Sequence, residues 1–460
     1  MTERKKYNPV RPITAKGKLL TGIVRALYGA RRTFGGKDWE YVLQGHHEDP
    51  LKMNAEQRLY LGHKYYYRAL LNADENSGLE KHFRENAGTL QVPGDFRAHS
   101  TVTLSAGGDL MPYFCITEKT CADLWKETGD FFFGADIVTA NLETPVDTGK
   151  RPYFVPEVML SNMYFNGGEE MFSVFSGMGK YRGYDFLSTA NNHSLDMGED
   201  GVHATLSFLE KKNILSAGTA SSEKMRDEVK MITRNGVRIA FLSFTFSLNR
   251  EVCPPGKEYL VNHLNLNEDG ADISAIVSQA KNARAAGADF LVAALHMGCA
   301  YQPYPSQTIV DNMRRICRET GIDVVLGGHP HNPQPMEFIE VTDPFSGEKK
   351  NSFVIYSFGD FVAYDIFKWC RLPLMMKFSI SKGTCGGKEK TILTGVEAKF
   401  VYNRSVTKRG NVEKLEFLDF SMLRNDDSVL DDAASKEEFR ELRWFAETFL
   451  LPGNLEKFLV

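Results

Sequence analysis

Five polar clusters along the chain carry side chains able to bind a cation or move a proton: Gly107-Gly108-Asp109, Asn141-Leu142-Glu143, Asn191-Asn192-His193, His296 and Gly328-His329-Pro330-His331. Imidazole, carboxylate and amide together suit Mn, Fe or Zn better than Ca or Mg. Such ions act as Lewis acids and bring the pKa of water toward neutrality, and a pair of them can clamp an in-line displacement at phosphorus. Singly, each cluster also has a structural reading. Gly-Asp and Asn-Asn-His are common turns, Asn-Leu-Glu can cap a helix, and a lone histidine is often just a satisfied polar group. The pair His329 and His331 says more, because alternate residues of an extended chain share a face. Extended geometry there predicts both rings in one cavity.

The clusters fall at the ends of short apolar runs. These runs occupy 101–104, 135–138, 185–188, 238–243, 289–295, 323–326 and 353–356. Helical periodicity lies between them at 272–286 and at 306–320, where Ile309, Val310, Met313, Ile316 and Cys317 recur on one side. This alternation predicts an α/β sheet. In such sheets ligands bind beyond the carboxyl ends of the strands, which is where the clusters stand.

Taken in order, the blocks resemble the calcineurin-like metallophosphoesterases, and more narrowly the CapA-type capsule and poly-γ-glutamate biosynthesis proteins. The stretches that carry the resemblance are Gly108-Asp109, Asn141-Leu142-Glu143, Asn191-Asn192-His193 with Asp196, His296 with Gly298, Gly328-His329-Pro330-His331, and Gly359-Asp360-Phe361, all within about 100–375. The resemblance implies an α/β fold built as a four-layer αββα sandwich. It divides the chain into a mostly helical extension (1–98), a metallophosphoesterase-like domain (99–420) and a C-terminal helical segment (421–460). It further implies one or two divalent ions, Mn, Fe or Zn. Asn192, His296 and His329 would hold one ion, Asp109 and His331 the other, and Glu143 would bridge them. His193 would serve as the acid that assists the leaving group. Met111 stands where the wider superfamily has a histidine, and Asp360 where CapA-type chains have asparagine; with Asn141 they are accessory candidates. The implied function is a metal-dependent hydrolase of phosphoesterase type, acting on a small or polymeric anionic substrate in capsule or poly-γ-glutamate metabolism. The alternative is a non-catalytic accessory protein that binds poly-γ-glutamate or an assembly partner.

Composition agrees with a packed enzyme-sized protein: 460 residues, 42% hydrophobic and 25% charged. A net charge of −4 argues against a general polyanion-binding surface, so nucleic acid is not an expected partner. Seven cysteines without a Cys-x-x-Cys pair argue against a disulfide framework. With no apolar signal core and no run long enough to span a bilayer, a cytoplasmic location is expected. The stretch Lys16 to Arg32 reads as a basic amphipathic helix that packs on its own protein, with weak membrane-surface contact as a second use. Asn54 is expected to open a helix over 55–71. The strand-rich stretch 374–420 is expected to complete the second sheet, and Ser435 with Glu438 to form a capping box on a last helix that stops at Pro452-Gly453.

Overall fold

Each apolar run becomes an inner strand of one of two sheets. The structure, a computed structural model, describes residues 9–34, 36, 39–160 and 163–460. Its strands in chain order are β1 (Arg97–Leu110), β2 (Ile137–Leu142), β3 (Phe186–Ser188), β4 (Leu215–Ala217), β5 (Lys230–Arg234), β6 (Val237–Thr245), β7 (Phe290–His296), β8 (Val324–Gly328), β9 (Met336–Thr342), β10 (Lys349–Ile355), β11 (Leu374–Cys385), β12 (Lys388–Lys408) and β13 (Asn411–Asp419). One sheet runs β13-β12-β11-β1-β2-β3-β4 and the other β5-β6-β7-β8-β10-β9. The strands that carry the polar clusters are parallel neighbours: β1 with β2, β2 with β3, and β6 with β7 and β8. Their carboxyl ends therefore open on the same side of each sheet.

The sheets face each other across an apolar layer. Phe186 stacks on Phe241 at 4.2 Å and Phe353 meets Phe378 edge to face at 5.3 Å, each pair crossing from sheet to sheet. Helices Glu169–Phe175 and Gly198–Lys211 cover the outer face of the first sheet, burying Phe172, Phe175 and Leu209 against Val138 and Leu187. Helices Ser274–Ala285 and Gln307–Thr320 cover the second, with Ile276, Ile309 and Met313 buried beneath them. The result is the four-layer αββα sandwich expected from the sequence.

Several local expectations change. The 374–420 strands extend the first sheet instead of completing the second, because β11 pairs antiparallel with β1 from Arg97 opposite Thr384 to Ala106 opposite Met376. The last helix, Ala433–Phe445, is capped by Asp432, whose side chain accepts from the Ser435 backbone N–H. Glu438 is not free to complete a capping box, since it turns inward to Arg371 at 2.6 Å. The helix opened by Asn54 is α-helical only over Ala55–Gly62 and then widens into a π turn, His63–Tyr67, that drives Lys64, Tyr65 and Tyr66 into the interior. Helix Ala15–Thr33 does pack on its own protein, but through Gly17, Thr21, Arg25 and Tyr28; the Leu19, Ile23 and Leu27 stripe faces solvent. Small Gly17 and Thr21 let that face come close, and the Glu157 carboxylate accepts from the Thr14 N–H at 2.9 Å.

Among the described residues no helix is long and apolar enough to cross a membrane. All seven cysteines are unpaired, and Cys115, Cys121, Cys299, Cys317 and Cys370 are buried.

Candidate metal centre

Glycines set how closely the strand ends approach. A side chain at Gly108 would meet the Gly359 carbonyl oxygen at 1.8 Å, so only glycine lets β1 lie against the 358–361 segment. This contact puts Asp109 between Asn141, its partner on β2, and Asp360, its bridge partner on the other side. From that position its carboxylate accepts from Asn141 Nδ2 at 2.8 Å and from the His329 backbone N–H at 3.2 Å.

Two groups of buried ligands result, and Asp109 belongs to both. Asp109, Glu143 and His296 offer atoms within 4.8 Å of one another, and so do Asp109, His331 and Asp360. Asp109 belongs to both groups because β1 lies between β2 and the Asp360 segment, and Glu143, expected as the bridge, stands in the first group. His296 Nε2 donates to Asn192 Oδ1 at 2.7 Å and lies 3.6 Å from Glu143 Oε1, while Asn141 Nδ2 reaches its Nδ1 at 3.3 Å. The His329 ring lies 5.1 Å from His296 and 5.7 Å from His331, beside both groups but in neither. Met111 lines the cavity in front of them.

The histidine pair converges for a different reason from the one expected. β8 ends at Gly328, and His329 and His331 take φ values of 93° and 63°, so a left-handed turn rather than an extended strand directs both rings inward. Of ten non-glycine residues with positive φ among the described residues, five line this one cavity: Glu48, Asn249, Tyr301, His329 and His331. Unfavourable backbone concentrated around one cavity is a feature of functional sites.

Burial moves most of these groups toward their neutral forms. Burial, reinforced by Asp109 and Asp360, raises the Glu143 carboxyl well above its ordinary range, and burial also raises Asp109. Burial lowers His296 far below its usual value and pushes His329 down to about 3. For His331, burial alone would do the same, but the Asp360 carboxylate at 2.8 Å reverses the direction and raises it. Neither oxygen of Glu143, neither ring nitrogen of His329, and not Asp360 Oδ2 has a hydrogen-bond partner among the described residues. Buried polar atoms are ordinarily paired. Converging unpaired carboxylate oxygens and neutral imidazoles form the donor set that a divalent ion of borderline softness takes.

His193 stands at the same cavity, apart from the ligand groups. Its Nδ1 donates to Asp196 Oδ2 at 2.6 Å, its ring stacks on Phe165 at 3.8 Å, and Asn249 Nδ2 lies 3.5 Å from its Nε2. The cavity has a volume of about 440 Å³. Its far wall comes from the N-terminal extension, through Glu48, Leu61, Tyr65 and Tyr66. Sequence reading gave no role to Asp196, although the spacing His193-x-x-Asp196 was visible. It missed Asn249 and Glu48, for which the sequence holds no signal.

Residues 93–365 match the family model described as bacterial capsule synthesis protein PGA_cap. The chain is 27% identical over 317 residues to the PGA biosynthesis protein CapA of Bacillus subtilis (strain 168), covering 66% of this chain and 75% of that one. It is 24% identical over 276 residues to the capsule biosynthesis protein CapA of Bacillus anthracis, covering 59% of this chain and 62% of that one. The match to the family model takes in Asp109, Glu143, Asn192, His193, His296, His329, His331 and Asp360, and it leaves out Glu48.

Proposed function

Because the chain belongs to the bacterial capsule synthesis (PGA_cap) family, we propose that its buried cluster is a divalent-metal centre that hydrolyses a phosphoester in capsule or poly-γ-glutamate metabolism. The observation that carries this reading is the unpaired Glu143 carboxylate held in one group with Asp109 and His296, next to a second group that shares Asp109. Asp109, Glu143, Asn192, His296 and His329 would hold one ion, and Asp109, His331 and Asp360 a second. Bound there, an ion of the Mn, Fe or Zn type supplies Lewis acidity and a nucleophile derived from water at neutral pH.

The chain's own residues supply the rest. Asn141 fixes the rotamers of Asp109 and His296 by donating toward both. Asp196 holds the Nδ1 proton of His193, which leaves Nε2 as the atom that delivers a proton to the departing oxygen. Phe165 keeps that ring flat against the wall. Arg58 and Arg250 at the rim give an anionic substrate complementary charge.

The test is a panel of phosphomonoesters, phosphodiesters and glutamyl peptides, assayed on the full chain with Mn or Zn added. Metal-dependent turnover is expected, lost in Asp109→Asn and lowered about 10²–10⁴-fold in His193→Ala with metal content unchanged. Bound metal without turnover on any member of the panel, together with tight binding of poly-γ-glutamate, would replace this reading with the accessory one.

A further inference from the structure

The N-terminal extension delivers one carboxylate to the imidazole cluster. Glu48 lies outside the family match, and its side chain is buried between the extension and the 298–301 turn. Oε1 accepts from the Ala300 backbone N–H at 3.0 Å and lies 3.8 Å from His329 Nε2. Oε2 accepts from Lys64 Nζ at 2.9 Å and from His46 Nε2 at 3.2 Å. The π turn at His63–Tyr67 brings Lys64 inward, where it is fully buried over the Tyr60 ring. Glu48 itself takes φ 56°, a left-handed conformation that disfavours any residue but glycine.

His46, Glu48 and Cys299 lie close enough together to hold an ion by distance alone. The Lys64 ammonium argues against that use, since it places a full positive charge 2.9 Å from the carboxylate. With Lys64, His46 and Ala300 already donating, Glu48 acts as an acceptor with capacity left on the His329 side.

Two of the other three imidazoles of the site have a carboxylate on one ring nitrogen, Asp196 on His193 Nδ1 and Asp360 on His331 Nδ1, while His296 has amides on both. His329 lacks such a bond, and Glu48 is the acidic side chain within salt-bridge distance of it. Histidines that bind metals usually donate their second N–H to such a group, which fixes tautomer and ring orientation. Moving from 3.8 Å to a hydrogen bond of about 2.9 Å asks for a ring shift of roughly 1 Å.

We propose that Glu48 is the positioning carboxylate of the metal centre: it accepts a hydrogen bond from the Nε2–H of His329 and so presents Nδ1 to a divalent ion, which makes the N-terminal extension part of the site. This rests on the metal-centre reading above. The competing account is that Glu48 is only the counterion of Lys64.

Removing Glu48 alone would strand a buried ammonium and could unfold the protein, so the comparison uses Lys64→Gln and the double variant Glu48→Gln/Lys64→Gln, both as full chains. Co(II) and Mn(II) affinities are read by calorimetry and, for Co(II), by visible absorption. The double variant should bind about 10–100-fold more weakly than Lys64→Gln. Equal affinity in the two would overturn the proposal while leaving the metal centre intact, whereas no binding by the unaltered protein would overturn the metal centre itself. A measurement without substitutions runs beside it. In the unaltered, metal-loaded protein labelled with ¹⁵N-histidine, His329 should carry its proton on Nε2, and a proton on Nδ1 would equally overturn the assignment.

Discussion

A methyl group at Gly328 would stand 2.9 Å from Asp109 Oδ1 and 3.2 Å from His296 Nδ1. Unlike the contact at Gly108, this one meets ligand side chains rather than backbone, so Gly328→Ala should leave the fold in place and displace the ligands. The expected outcome is an unchanged thermal midpoint with metal affinity lower by about 10–100-fold, checked by chelator competition. At this scale residue types were legible and their arrangement was not. Asp109, Glu143, His296 and His331 stand out because unusual polar residues end apolar strands. That Asp109 belongs to two groups depends on strand order, and that His329 and His331 converge through positive φ depends on a turn. Neither strand order nor that turn leaves a mark in residue spacing. Glu48 was invisible altogether, since its role is created by a contact between segments some 250 positions apart.

Helix ends show the same division. The final helix was read from a capping box and a Pro-Gly stop, but the cap was assigned to Ser435 when the acceptor is Asp432. Burial alone would raise the Asp432 carboxyl, yet hydrogen bonds from Ser435 and the Arg404 guanidinium hold it down at about 2. A carboxyl whose folded value is depressed contributes stability that is fully present above its ordinary range near 4 and is lost as the pH falls through the folded value. Asp432→Ala should therefore lower the urea midpoint at pH 7 by an amount equivalent to about 0.5–2 kcal/mol. The gap between variant and parent should narrow between about pH 4 and pH 2, because the parent loses there what the variant never had. Strands followed a similar rule. The inner, buried runs were found, whereas β4, β5 and β9, each at a sheet edge, carry too little apolar pattern to stand out.

For the molecule as a whole, the extension is not an appendage. Tyr65 O–H donates to Asp365 at 2.7 Å, Phe83 packs against Tyr356 at 5.4 Å, and Asn454 near the C-terminus donates to the Phe83 carbonyl at 2.8 Å. β1 begins at Arg97, and composition could not say that the residues before it wall the cavity. The unpaired cysteines turn this arrangement into a chemical clock. Cys299 lies under the extension, its thiol against the His46 carbonyl, while Cys317 sits on the buried face of helix Gln307–Thr320, and burial pushes both thiols up and keeps them unreactive. Cys253 and Cys385 are partly exposed. Pulsed alkylation read by peptide mass spectrometry should label Cys253 and Cys385 first, then Cys299 and Cys317 at a common rate set by cooperative opening. Earlier labelling of Cys299 would mean that the extension lifts by itself. Because the thiol that reports on lifting sits next to Glu48, the same reagent times how often the chain uncovers the cavity that Glu48 lines, with no added label.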